Sequence, residues 1–170
     1  KKEDIYLTVL DKHKGIIYKV ANMYCHNKDD KDDLIQEIVL QLWLTLENFN
    51  DKFKWSTWVY RVALNTSISF YRKNKRRNEN TVRFNPIMEV PAITEESDED
   101  DKFLRLKTYI RELKEIDRAL ILLYLEGLNS KEIAEVIETT QTNVTTKISR
   151  IKKVLKSKFD NHKRKEHGTH

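Results

Sequence analysis

An all-α chain made of two small helical domains is predicted by three observations. Of 170 residues only three are glycine and two proline, which leaves few turn formers for a many-stranded sheet. Charged residues reach 35%, against about a quarter in ordinary globular chains. Apolar residues recur at helical spacings of three and four on both sides of a polar, acidic interval near the middle of the chain. That interval predicts a flexible linker with a helical lobe on each side. The predicted organisation is a domain over 1–77, an acidic linker over 78–102, a second domain over 103–160 and a basic tail over 161–170.

Charge follows the same division. The net charge of +5 resolves into +5 over residues 1–77, −6 over 78–103 and +6 over 104–170. Two basic lobes flanking an acidic strip suit a protein that meets nucleic acid at two places.

The first lobe opens with Ile5, Val9, Ile16, Ile17, Val20 and Met23, a helical pattern over 5–24 with a break expected near Gly15. Asn27 to Asp33 reads as a polar turn in which an aspartate caps the next helix. That helix is predicted over 32–47, with Leu34, Ile35, Ile38, Val39, Leu42 and Leu46 as its core stripe. After the loop Asn48-Phe49-Asn50-Asp51 a further helix runs from Ser56 or Thr57 to about Asn74, ending in a basic cluster. The linker carries Pro86, Pro91 and the acids from Glu95 to Asp101.

In the second lobe Phe103, Leu104, Leu106, Ile110 and Leu113 mark a short amphipathic helix, followed by the apolar run Ala119 to Leu125. Gly127 supplies a left-handed cap. Asn129 and Glu132, three apart, form an N-cap and its reciprocal partner, so a helix starts at Ser130 and ends near Glu138. Thr139 and Thr140 make a tight turn, and Val144, Ile148, Ile151 and Leu155 set the core face of a last helix.

A short helix, a turn and a second helix with a polar, basic outer face make a helix-turn-helix, whose second helix enters a DNA major groove. Here the outer face holds Asn143, Thr146, Lys147 and Arg150, with Thr145 and Ser149 at its margins. Arg grips guanine and Asn adenine with paired hydrogen bonds, and threonine methyls touch thymine. Lys152, Lys153, Lys156 and Lys158 extend this face toward phosphates.

In the first lobe Trp58, Arg61, Asn65, Ser69 and Arg72 fall on one helical stripe, continued by Lys73, Lys75, Arg76 and Arg77. Rings that stack on bases, an amide that reads a base edge and a basic end that follows the backbone suit single-stranded or partly opened DNA. Phe53 and Trp55, in the preceding loop, add a stacking platform. The competing reading makes the tryptophans ordinary core residues. Opposite the core stripe of the 32–47 helix lie Asp33, Gln36, Glu37, Leu40 and Leu44. Leucines on a polar face suggest a partner protein, with the acids and glutamine setting orientation.

Together these features resemble the extracytoplasmic-function (ECF) group of bacterial RNA polymerase sigma factors, in the sigma-70 superfamily, over nearly the whole chain. Asp33-Leu34-Ile35-Gln36-Glu37, followed by Trp43, is similar to the region 2.2 helix that docks on core polymerase. Trp58-Val59-Tyr60-Arg61-Val62-Ala63-Leu64-Asn65 resembles regions 2.3 and 2.4, which melt the minus-ten element and capture a flipped non-template base. By that resemblance Asn65 is a pocket residue, and the loop from Phe49 to Trp55 is a specificity loop. Glu126-Gly127-Leu128-Asn129-Ser130-Lys131-Glu132-Ile133-Ala134 resembles the region 4 helix-turn-helix, with Asn143 to Arg150 on its minus-thirty-five recognition helix. Three departures stand out. Lys114 replaces a usual proline, Glu138 a common glycine, and Thr142-Asn143 a usual glycine-threonine pair.

The resemblance implies a sigma factor that binds core RNA polymerase and promoter DNA, both duplex and melted non-template strand, and that commonly has an anti-sigma partner. The alternatives are a stand-alone helix-turn-helix regulator, which has no need of the Asp33–Leu44 face, and a small nuclease, against which the absence of a metal-binding carboxylate cluster in the sequence speaks. No catalytic residue, cofactor or metal is expected. With one cysteine, Cys25, no apolar run near the ~18 residues of a membrane span and no signal-peptide pattern, the sequence reads as cytoplasmic.

Overall fold

The computed structural model describes residues 1–80 and 98–168, and within them seven α-helices and no strand. In the first lobe α1 (Lys2–Tyr24) and α2 (Lys28–Thr45) pack on each other and on α3 (Trp55–Asn80), with a single 3-10 turn at Leu46–Asn48 between α2 and α3. Leu34, Ile38 and Leu42 of α2 interlock with Ile17 and Val20 of α1 and Val59, Ala63 and Leu64 of α3 in a core closed to solvent. The second lobe comprises α4 (Asp98–Arg111), α5 (Glu115–Leu125), α6 (Ser130–Ile137) and α7 (Gln141–His167). Ala119 to Leu123, Ile133, Ala134, Val144, Ile148, Ile151 and Leu155 form its interior.

Several helix limits differ from the sequence-based expectation. α1 passes through Gly15 without a break. A glycine inside a helix costs only about 1 kcal/mol relative to alanine, and the packing of the helix outweighs it. α2 starts a turn early because the cap is Asn27, whose side chain accepts a hydrogen bond from the Asp30 N–H at 2.8 Å. Asp29 and Asp30 then occupy the first turn, where the helix dipole favours acids. α3 runs on through the basic cluster to Asn80, and α4 begins at Asp98, so the helices take both ends of the expected linker. Pro86, Pro91 and Glu95 to Ser97, with the linker flexibility expected of them, lie outside the described residues. The expected basic tail is helical as far as His167, an extension of α7.

The turns of the second lobe follow the sequence closely. Gly127, at φ 86°, ends α5. Its N–H donates to the Tyr124 carbonyl and that of Leu128 to the Leu123 carbonyl, the paired bonds of a Schellman cap. Asn129 and Glu132 form the full capping box of α6, each side chain accepting from the other's backbone N–H at 2.9 Å. Replacing Asn129 by alanine should lower the stability of the chain by about 1 kcal/mol in urea unfolding; an unchanged midpoint would mean the box does not hold α6. Glu138 closes α6 at φ 61°, the one non-glycine positive φ among the described residues. A side chain in that conformation costs roughly 1–2 kcal/mol.

The sequence allows the lobes to stay apart, yet in the structure they pack together, α3 lying against α5 and α6. The Tyr24 hydroxyl donates to the Glu115 carbonyl at 2.7 Å, and Lys19 pairs with Glu126 at 2.6 Å. Arg118, 4% exposed, donates to the Tyr71 hydroxyl at 3.1 Å and to the Leu113 carbonyl at 2.9 Å. Its guanidinium lies 4.6 Å from the Tyr71 ring centre and 5.9 Å from that of Tyr24.

Candidate nucleic-acid interfaces and a partner face

On α7 the Thr140 side chain caps the helix by accepting from the Asn143 N–H, and Gln141 donates to the Ser130 hydroxyl at 2.8 Å, fixing α6 against α7. With Val144, Ile148, Ile151 and Leu155 buried, Thr145, Thr146, Ser149, Arg150 and Lys153 stand exposed. Lys147 is half-buried, as is Asn143, whose amide donates to the Thr139 hydroxyl at 2.7 Å and so serves the turn in this conformation. The outer row is thus centred on Arg150 and open to solvent.

The α3 stripe divides in two. Asn65, Ser69, Arg72, Lys73 and Arg76 are exposed. Trp58 is 8% exposed, packed edge-on against Trp55 and Phe49. Trp55 stacks flat on Phe49 with ring centres 3.5 Å apart. Spacing puts Trp58 in the outward row; the structure gives it a core position in this aromatic cluster, because Phe49, just after the 3-10 turn, and Trp55, which is the first residue of α3 and not a loop residue as expected, close over it. Phe49 is the partner ring that sequence spacing did not single out. Phe53 lies under the Arg61 guanidinium, 4.3 Å from ring centre to Cζ.

Arg61 itself is engaged. Its Nε and Nη2 both donate to the Glu135 carbonyl, at 2.7 Å and 2.5 Å, and its Nη1 stands 3.6 Å from the Glu138 carboxylate. Beside it Lys54 lies 3.6 Å from Glu132. Spacing along the chain gives no warning of these contacts, which join groups more than 70 residues apart.

The third surface is the outer face of α2. Asp33 and Gln36 are exposed and Glu37 half-buried, accepting from the Gln41 amide at 3.1 Å. Leu40 and Leu44 are 48% and 58% exposed. One turn apart, they leave an apolar strip in water on a helix whose other side is fully packed.

Titratable groups near the seam are shifted by burial. The Cys25 thiol is pushed up to about 11 by desolvation, assisted by Asp30, which leaves it an unreactive core group at neutral pH. Burial, with Arg111 and Arg118 nearby, lowers His26, and burial raises Tyr24 and Tyr60. Among the described residues no cluster of three or more His, Cys, Asp or Glu side chains could hold a metal, and no helix is long and apolar enough to cross a membrane.

A helix-turn-helix lobe and a second helical lobe with a basic, aromatic-edged stripe define a two-lobed helical nucleic-acid-binding protein. The Sigma-70 region 2 family model matches residues 9–77 and the Sigma-70, region 4 model residues 103–155. RNA polymerase sigma factor SigZ of Bacillus subtilis (strain 168) is 30% identical over 128 residues, covering 74% of this chain and 70% of SigZ. ECF RNA polymerase sigma factor SigW of the same organism is 25% identical over 171 residues, covering 92% and 90%. The sigma factor RpoE from Bartonella quintana, solved in complex with the anti-sigma factor NepR, shares the fold with a TM-score of 0.65 at 19% identity, covering 91% of this chain and 94% of that one. The chain belongs to the sigma-70 family, within its ECF group. It is therefore a sigma factor, which binds core RNA polymerase and directs promoter recognition, DNA opening and transcription initiation. Sigma factors are in general non-enzymatic initiation factors.

Proposed function

We propose that this chain divides the work of a sigma factor among its three surfaces. The first lobe, over 1–77, holds core polymerase with Asp33, Gln36, Glu37, Leu40 and Leu44 of α2. Its α3 face and preceding loop, with Phe53, Trp55, Trp58, Arg61, Asn65, Ser69, Arg72, Lys73 and Arg76, read and open the minus-ten element. Trp58 acts there from within the aromatic cluster, as the support on which Trp55 rests. The second lobe, over 103–160, reads the minus-thirty-five element with Asn143, Thr145, Thr146, Lys147, Ser149, Arg150 and Lys153. The 78–102 segment tethers the lobes so that they span the two elements. The observation that carries this reading is the solvent-exposed Leu40–Leu44 strip, which a stand-alone DNA regulator has no use for.

Strand opening on this account uses binding energy to hold unstacked bases, so the chain needs no catalytic residue or cofactor of its own. It works in the cytoplasm, where polymerase and DNA are. An anti-sigma factor that covers the α2 face would silence it by competition.

The α7 reading is tested by comparing Arg150→Ala with Lys153→Ala on a panel of upstream duplexes. Arg150→Ala should relax the preference at one position, a loss of about 1–3 kcal/mol of discrimination. Lys153→Ala should weaken all duplexes alike and flatten the salt dependence. Uniform weakening by Arg150→Ala would reduce it to a phosphate contact.

A further inference from the structure

α7 does not stop where the helix-turn-helix does. The region 4 match ends at residue 155, yet the helix continues to His167. A tail of that size on its own would fray, and here α4 braces one side of it. Phe159 stands edge-on against Tyr109 with ring centres 4.9 Å apart, Lys158 pairs with Glu112, and Arg105 reaches Glu166 at 3.3 Å. His162 lies 3.0 Å from the same carboxylate.

These contacts sort the basic side chains. Spacing sends Lys152, Lys153, Lys156 and Lys158 toward phosphates alike. In the structure Lys152 lies over the Tyr124 ring, 4.1 Å from its centre, and Lys158 is held by Glu112, so both serve the protein. Lys153 and Lys156 stay exposed, and Lys163 and Arg164 join them. Among the described residues Lys156, Lys163 and Arg164 have no ion-pair partner. At about 100° per residue, Arg164 falls in the outer row of Thr146, Arg150 and Lys153, opposite the buried Val144, Ile148, Ile151 and Leu155. Lys156 and Lys163 flank that row on one side. A basic last turn suits the helix dipole, but Lys156 and Lys163 precede that turn.

Arg164 stands four turns beyond Arg150, about 21 Å along the axis, whereas the major groove is only about 12 Å wide. A helix seated in the groove by its first turns therefore carries its far end out over a bounding phosphate strand. A duplex curved toward α7 brings that strand within side-chain reach. We propose that residues 156–167 form a backbone arm, in which Lys156, Lys163 and Arg164 take phosphates of the upstream duplex beyond those flanking the base-reading row. This rests on the assignment of α7 to that duplex. The arm adds affinity and no sequence preference, since phosphates are alike at every step.

The test compares Lys163→Ala/Arg164→Ala with Lys153→Ala in the full chain. Salt is titrated against a mixed-sequence duplex of about 30 base pairs, roughly three helical turns, and against a single strand of the same length. On the duplex the arm variant should lower the slope of log affinity against log salt by about 2, close to 0.9 for each lost contact, and Lys153→Ala by about 1. An unchanged slope in the arm variant beside a lower one in Lys153→Ala would overturn the proposal and leave the α7 assignment standing. Unchanged slopes in both would overturn that assignment and the arm with it. A comparable fall on the single strand would also overturn the arm, because the contact would then be to any polyanion and not to a duplex held by α7.

Discussion

The double variant Leu40→Asp/Leu44→Asp should lose core RNA polymerase while keeping its fold. Both side chains lie about half in water already, so replacing them removes little that holds α2 in place. In a complex each buried leucine contributes about 2 kcal/mol, and two lost together weaken binding by nearly a thousandfold. A carboxylate forced into the same contact adds a desolvation penalty. Pull-down of purified polymerase at increasing concentration measures the change, and circular dichroism verifies that helix content is unaltered. Gln36→Ala/Glu37→Ala should act in the same direction but less strongly, because these groups orient the contact at its polar edge. Full retention of polymerase by both double variants would remove the basis for assigning α2 to the enzyme.

Replacing Asn65 by alanine should impair promoter opening far more than binding to the upstream element. Asn65 is exposed in the middle of α3, between Arg61 and Ser69, and its amide presents two donors and an acceptor for a base edge. Loss of one good base contact weakens capture of the flipped base by about 1–3 kcal/mol, or roughly 5- to 150-fold in open complex. On the proposed division the upstream contact belongs to the other lobe and should hold. Permanganate footprinting reports opening, and gel shift on an upstream duplex reports α7. Equal losses in both would show Asn65 acting on folding or on lobe placement instead of on a base.

Local chemistry carried much of this legibly. The Asn129–Glu132 box, the Gly127 cap and the α7 core face stand where the sequence puts them, since each depends on residues within one or two turns of one another. The exposure of Leu40 and Leu44 was likewise readable from helical spacing. Helix ends were read less well. Asn27 stands beside several aspartates that could cap equally well, and the polar residues at 78–80 and acids at 98–101 have the composition of a linker although charges on a helix face or first turn are well tolerated. Trp58 shows a different limit, because its periodicity with Arg61 and Asn65 is real and only the fold-back of Phe49 and Trp55 decides that it is covered. The seam was hardly legible. Arg61 with Glu135 and Tyr71 with Arg118 are tertiary pairings of distant residues, and the one local hint was a glutamate at position 138, where the turn calls for glycine.

The most direct test of the whole account is in vitro transcription with core RNA polymerase on a pool of random upstream sequences. Addition of the chain should yield transcripts whose templates share a two-part motif, with the downstream part lost in Asn65→Ala and the upstream part relaxed in Arg150→Ala. Tight binding of the chain to duplex DNA with no initiation above that of core polymerase alone would contradict it.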